Sequence, residues 1–197
     1  KVVSAYNAVF ALANATIVNG AKTNPVDTPP VPALSVSQFT DIGADIGGMS
    51  DGSINLRLFN SVLDFKFSTE VDTVKEINLL AAVTNAILEK TNNGNAASAT
   101  LLTKENLIKL GLGTLDSASV SDIAGVLESI AAQRDGTNID TQGRLQSLVN
   151  FYMLQPLPSI GLKTDSGINN TDSKSNDSSL NFTKAIDTAG GTSIFVS

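Results

Sequence analysis

Three residue types are absent from this chain of 197 residues: cysteine, histidine and tryptophan. Without cysteine, the chain forms no disulfide framework and offers no thiolate ligand to a metal ion. Without histidine, it lacks the commonest general base and the commonest zinc ligand. The sequence also contains no phosphate-binding glycine loop and no carboxylate pair in an apolar setting. We therefore predict that the protein is not an enzyme.

Positive charge is scarce, and long apolar runs are missing. The formal net charge is −6 at pH 7 and the isoelectric point is about 4.5. Nucleic acids and anionic bilayers bind basic surfaces, so we expect neither of them as a partner. No apolar run reaches the length that crosses a membrane, so no membrane insertion is predicted. A chain with 42% hydrophobic and 16% charged residues is expected to be ordered, and its mild excess of acid suits a soluble, extracellular or cation-rich setting.

The sequence does contain an internal repeat. The segment VDTVKEINLL, which begins at Val71, returns as IDTQGRLQSL, which begins at Ile139. The segment LSVSQF at Leu34 returns as LTKENL at Leu102 with the same spacing. We call this spacing, from Val71 to Ile139, the repeat offset. Two segments that share one offset indicate tandem copies of one structural unit.

The pattern of apolar residues in each copy predicts three short helices separated by polar turns. Apolar residues recur three and four positions apart, as on the buried face of a helix. Ser and Thr residues with capping-box spacing mark helix starts. We expect helices to begin near Ser35, Ile54, Thr73, Thr103, Val120 and Thr141. The predicted fold is therefore mainly α, with one three-helix bundle over residues 33–92 and a second over residues 93–155.

Two segments precede the first bundle. Residues 1–18 are predicted to be the last helix of a preceding repeat, because NAVF at Asn7 matches NAIL at Asn85. The alternative is an N-terminal helix that docks on the bundle after it, and the sequence leaves both open. Residues 19–32 hold four of the six prolines, so they predict an extended linker between units.

Residues 156–197 predict a different, β-rich structure. Period-two alternation indicates short strands around 159–163, 180–182 and 194–196. An Ig-like sandwich needs about seven strands and about 100 residues, so this segment is too short to close one. We expect a neighbouring chain, or the rest of the same domain, to complete it.

The order of these elements resembles a known family. The chain has a helix carrying YNA at Tyr6, then a linker, then three-helix units that contain VDTVKEI or IDTQGRL. This order is similar to that in the helical repeats of giant bacterial surface proteins. These are the large biofilm-type adhesins of Gram-negative bacteria. The segment PSIGLKTDSG at Pro158 resembles the first strand of the bacterial Ig-like repeats in the same proteins. The chain departs from the family pattern at Gly143 and again after Phe182.

The resemblance implies a non-catalytic structural or adhesive segment on the outside of the bacterial cell, where it acts as a spacer or stalk. Its expected partners are neighbouring repeats or identical subunits, with a host or cell-surface ligand as a further candidate. Two alternatives stay open. One is a subunit of a self-assembling surface filament or surface layer, and the other is a three-helix module that binds a host protein.

One acidic loop is a candidate metal site. Asp165 and Asp172 lie among Asn, Ser and Thr residues, whose oxygens are ligands that Ca²⁺ prefers. A solvated loop explains the same composition, whereas the resemblance implies calcium, which such repeats hold at their junctions. Calcium at Asp165 and Asp172 is the only cofactor we consider. The loop DGTNID at Asp135 lacks the bidentate Glu of an EF-hand, so we predict a turn there, with Asp140 as a helix cap.

Overall fold

A computed structural model of the chain describes residues 1–23, 32–93, 100–154, 182–186 and 192–196. The chain divides into two compact units, residues 1–154 and residues 155–197. The described part of the first unit is mainly helical, as predicted, with a small two-stranded sheet. Its elements are α1 (Val2–Leu12), β1 (Thr16–Val18), β2 (Ala21–Thr23), α2 (Val36–Asp41), α3 (Ile54–Asp64), α4 (Val74–Asn93), α5 (Lys104–Lys109), α6 (Val120–Ala131) and α7 (Gln142–Leu154).

Thr73 and Thr141 cap the third helix of each copy. Glu76 donates its backbone N–H to Thr73 Oγ1 at 3.2 Å, and Thr73 donates its own N–H to Glu76 Oε2 at 3.1 Å. Arg144 donates its N–H to Thr141 Oγ1 at 3.3 Å. Each cap satisfies an N–H group that has no partner inside the helix, an effect of about 1 kcal/mol. Both predicted starts are confirmed, and the first residues of α4 and α7 are separated by the repeat offset.

The repeat is also visible in the lengths and the burial of the elements. Helices α2 and α5 have 6 residues each, and they begin at equivalent positions of the two copies, after Ser35 and Thr103. A glycine with positive φ follows each of them, Gly43 and Gly111, because a residue without Cβ adopts that conformation without strain. Equivalent residues that are buried in both copies include Leu34/Leu102, Phe39/Leu107, Leu58/Val126, Val62/Ile130, Val71/Ile139, Ile77/Leu145 and Ala81/Val149.

The two copies share one hydrophobic core. Helix α3 packs on α4 and α7, and α6 packs on the same two helices, so these four form one bundle. Buried residues from α1 to α7 form a single cluster that runs through both copies. The prediction of two separate three-helix bundles is not confirmed. Helix α5 has only 6 residues and packs on α4 of the other copy, so the second copy does not bury its apolar faces alone.

Asp140 joins the copies and does not cap α7, which corrects the role predicted for it. Its carboxylate accepts hydrogen bonds from Arg57 Nε of α3 at 3.2 Å and from Arg144 of α7 at 2.6 Å. Thr141, the next residue, already accepts the N–H group at the start of α7. The carboxylate of Asp140 is therefore left to bind the two guanidinium groups.

Residues 16–23 form a hairpin that sequence reasoning did not predict. Strands β1 and β2 are antiparallel, and Thr16 pairs with Thr23. Asn19 and Gly20 both have positive φ, as a tight two-residue hairpin turn requires. The predicted boundary between the first helix and the linker, between residues 18 and 19, falls inside this hairpin. Helix α1 ends at Leu12, and the Asn-Gly turn joins the two strands that follow. Residues 24–31 of the predicted linker lie outside the described residues.

The described residues of the second unit form one hairpin. Strand β3 (Phe182–Ile186) is antiparallel to β4 (Thr192–Val196), with Phe182 opposite Val196. Strands are thus present close to the positions predicted near 180–182 and 194–196. The strand predicted at 159–163 lies outside the described residues, and the Ig-like fold stays a prediction.

Because the copies share one core, damage to either copy should weaken both. Ile77 of α4 and Leu145 of α7 are equivalent and fully buried. We expect Ile77→Ala and Leu145→Ala each to lower the free energy of unfolding by about 2–5 kcal/mol, since each leaves a cavity in the core. Each substitution should shift one common unfolding transition, followed by tyrosine fluorescence in Tyr152→Phe, which keeps Tyr6 of α1, and in Tyr6→Phe, which keeps Tyr152 of α7.

The control is Val120→Ala, because the side chain of Val120 is exposed. This substitution should change the free energy of unfolding by less than about 0.5 kcal/mol. Separate transitions at the two tyrosines, with only one of them shifted by each core substitution, would contradict a shared core.

Candidate functional site

The predicted calcium ligands Asp165 and Asp172 lie outside the described residues, so calcium at these positions stays a prediction. Within the described ranges, no group of three or more acidic side chains is placed to hold a metal ion. The loop at Asp135 is a turn, as predicted. Asp135 Oδ1 accepts hydrogen bonds from the N–H of Thr137 at 3.0 Å and from its hydroxyl at 2.8 Å. These hydrogen bonds lower the pKa of Asp135.

Lys22, Lys66 and Glu70 form a partly buried ion cluster in the first unit. The side chain of Lys66 is only 3% exposed, and its ammonium lies 3.4 Å from Glu70 Oε1. Glu70 Oε2 accepts hydrogen bonds from Lys22 and, at 2.8 Å, from the backbone N–H of Phe67. The ammonium of Lys22 also lies 4.3 Å from the centroid of the Phe67 ring. The ion cluster therefore ties β2 to the 3-10 turn at Ser68–Glu70.

Burial sets the electrostatics of the ion cluster. Desolvation lowers the pKa of Lys66, and the opposite charge of Glu70 offsets only part of that shift. Burial by itself would raise the pKa of Glu70. The hydrogen bonds from Lys22 and Phe67, together with the charge of Lys66, outweigh burial and lower the pKa of Glu70. The carboxylate is therefore charged at neutral pH and acts as a structural counter-ion.

Two surface grooves occupy equivalent places on the two copies. The first groove, of about 290 Å³, runs beside α4 and is bounded on one side by Lys109 of α5. The second groove, of about 520 Å³, runs beside α7 and reaches Phe151. All residues that line the second groove belong to the second copy. Four equivalent positions line both grooves: Glu70/Asn138, Glu76/Arg144, Leu79/Ser147 and Leu80/Leu148.

Helix α7 exposes two large apolar side chains to solvent. Phe151 is 66% exposed and Leu154 is 81% exposed. Their counterparts on α4, Val83 and Ala86, are each 1% exposed. Sequence reasoning missed this surface because it assigned a separate bundle to each copy. The signal was available, since alignment of the copies by the repeat offset places Phe151 and Leu154 beside buried positions of α4.

In comparisons with known proteins, no family model, curated sequence or solved structure matches this chain. The resemblance to adhesin repeats therefore stays a prediction. Within the part of the chain that the structure describes, no helix combines the length and the hydropathy needed to cross a lipid bilayer. A proposal for function rests on the repeat geometry and on the surfaces of α4 and α7.

Removal of the Glu70 charge should destabilise the first unit, because it leaves the buried ammonium of Lys66 without its carboxylate. We expect Glu70→Gln to lower the free energy of unfolding at pH 7 by about 1–3 kcal/mol. The pKa of Glu70 is lower in the folded chain. Its stabilising effect is thus present above the unfolded pKa of about 4.3 and is lost as the pH falls through the folded pKa. Urea denaturation between pH 7 and pH 3 should show a larger loss in the parent chain than in Glu70→Gln, where only other carboxylates such as Asp135 still contribute to it.

A second substitution should rescue the variant. Lys66→Met combined with Glu70→Gln replaces the buried ion pair by apolar and neutral groups, and much of the lost stability should return. Glu128→Gln is the control, since Glu128 is the exposed partner of Lys90 and such pairs contribute less than about 1 kcal/mol. An effect of Glu70→Gln no larger than that of the control would show that the ion cluster does not stabilise the fold.

Proposed function

We propose that the chain is a non-catalytic structural segment of a large extracellular protein of the bacterial cell surface, in which its repeats act as a spacer or stalk. The observation that carries this proposal is the order of contacts between the copies. Helix α4 ends the first copy and packs on α5 and α6, the first two helices of the second copy. Helix α1 packs on α2 and α3 in the same order.

The burial of α1 supports its interpretation as the third helix of a preceding repeat. Alignment of NAVF at Asn7 with NAIL at Asn85 places Ala5 beside Val83 and Val9 beside Ile87. All four of these apolar residues are buried. Both junctions then have the same arrangement, in which each third helix packs on the first two helices of the next repeat.

Polar contacts hold the copies in register beside the shared core. Gln142 of α7 donates its backbone N–H to Ser61 Oγ of α3 at 3.0 Å. Lys90 of α4 donates to Glu128 of α6 at 3.0 Å. Repeats that contact only their neighbours build an array that extends in one direction, which is the property that a spacer needs. A load along such an array passes through every junction, so a continuous core suits the proposed role.

An antibody raised against the folded chain tests the proposed location. On intact cells of the source organism, we expect labelling that disappears after brief protease treatment, because a spacer lies outside the cell. Permeabilisation should add little signal. The control is an antibody against a cytoplasmic protein, which should label permeabilised cells only. If the chain is detected only after permeabilisation, the extracellular proposal is wrong.

A further inference from the structure

We propose that the outer face of α7, together with the second groove, is the docking surface for the first two helices of a further repeat of this type. We expect this contact to resemble the packing of α4 on α5 and α6. The inference rests on the proposed function, because it extends the stacking of repeats by one step.

The face of α4 that contacts the next copy is identified by two observations and by the helical spacing between the residues involved. Leu79 lines the first groove with Lys109 of α5. Lys90 donates to Glu128 of α6. Val83 follows Leu79 by one helical turn and precedes Lys90 by two, so it lies on the same face of the helix. Its 1% exposure is in keeping with cover by α5 and α6, on which α4 packs.

The same face of α7 is apolar and exposed. Ser147, Phe151 and Leu154 take the positions of Leu79, Val83 and Ala86. Phe151 and Leu154 are larger than their counterparts and mostly exposed, whereas the counterparts are buried. An exposed apolar patch of this kind marks an interaction surface. Its position in the repeat defines the partner, because the same face one copy earlier binds a helix pair.

The second groove fits the first helix of that pair. In the first groove, the space beside α4 is bounded by Lys109, the last residue of α5. The equivalent space beside α7 is larger, about 520 Å³ against about 290 Å³, and its lining residues come from the second copy alone. An incoming helix would therefore occupy the second groove as α5 borders the first.

Charge defines the type of repeat that fits. Glu76 lines the first groove with Lys109, but the position equivalent to Glu76 holds Arg144 in the second groove. A complementary helix ends in an acidic residue instead of Lys109. Helix α2 ends in Asp41 at that position of the repeat. The occupant is therefore a repeat of the first-copy type, with an acidic residue at the end of its first helix.

The positive charge of Arg144 is only partly balanced by its ion pair with Asp140. Asp140 binds Arg144 and also Arg57, so one carboxylate faces two guanidinium groups. Asp140 alone balances only one of the two guanidinium charges, and an acidic residue on the incoming helix would pair with the other.

The experiment inserts residues 87–101 and then residues 34–93 of the chain between Leu154 and Gln155, which gives a first-copy repeat the natural spacing after α7. The chain has no cysteine, so Ser147→Cys provides a single thiol in the second groove. Its rate of modification by a maleimide reports whether the groove is covered. Val120→Cys, at an exposed position of α6 outside the groove, is the matched control.

The insertion should slow modification at Ser147→Cys by at least about tenfold, because a covered thiol reacts only through local opening. It should leave the rate at Val120→Cys unchanged and add helical circular dichroism signal. Phe151→Asp in the extended chain should restore rapid modification, since it places a charge in the apolar contact. Asp41→Lys in the inserted repeat should also reduce the protection, because it places a cation beside Arg144.

Equal rates with and without the insertion would overturn the proposal, and so would an inserted repeat that stays unfolded. Slow modification in the dilute parent chain would identify another part of the same chain as the occupant. Slowing that depends on the concentration of the parent chain would identify a second copy as the occupant. Both results would replace the proposed partner. The outcome is separate from the antibody experiment, because docking can fail for a surface protein and succeed for an internal one.

Discussion

Burial of α4 on two sides is the constraint on which the first unit depends. One side contacts its own copy, where Asn78 Oδ1 accepts the N–H of Asp45 at 2.8 Å and Asn85 donates to the carbonyl of Ile46 at 3.1 Å. The other side packs on α5 and α6 of the next copy. One small bundle cannot bury both of these faces of α4, so the copies stack instead of folding separately.

The features that the sequence predicted well are local ones. The caps at Thr73 and Thr103 depend on a hydroxyl and a backbone N–H less than one helical turn further on, so the chemistry is complete within a few residues. Apolar spacing indicated the helices, and the shared offset indicated the repeat. The mainly α class follows from these signals, and the structure confirms it.

The features that the sequence did not predict depend on distant contacts. Lys66 is buried beside Glu70, which also binds Lys22 of β2, and nothing in the sequence near Lys66 indicates this cluster. The role of Asp140 depends on Arg57, which lies in the other copy. The hairpin had a local signal in its Asn-Gly turn, but the prolines that follow it favoured a linker. The acidic loop of the predicted calcium site lies outside the described residues.

The central claim is that third helices join successive copies into a linear array. Small-angle X-ray scattering tests it on variants with one, two and three further copies of residues 34–101 inserted before Leu102. A linear array predicts that the radius of gyration increases by a similar step with each copy, once several copies are present. Growth as about the 0.38 power of the residue number, which is typical of a compact globule, would contradict the claim.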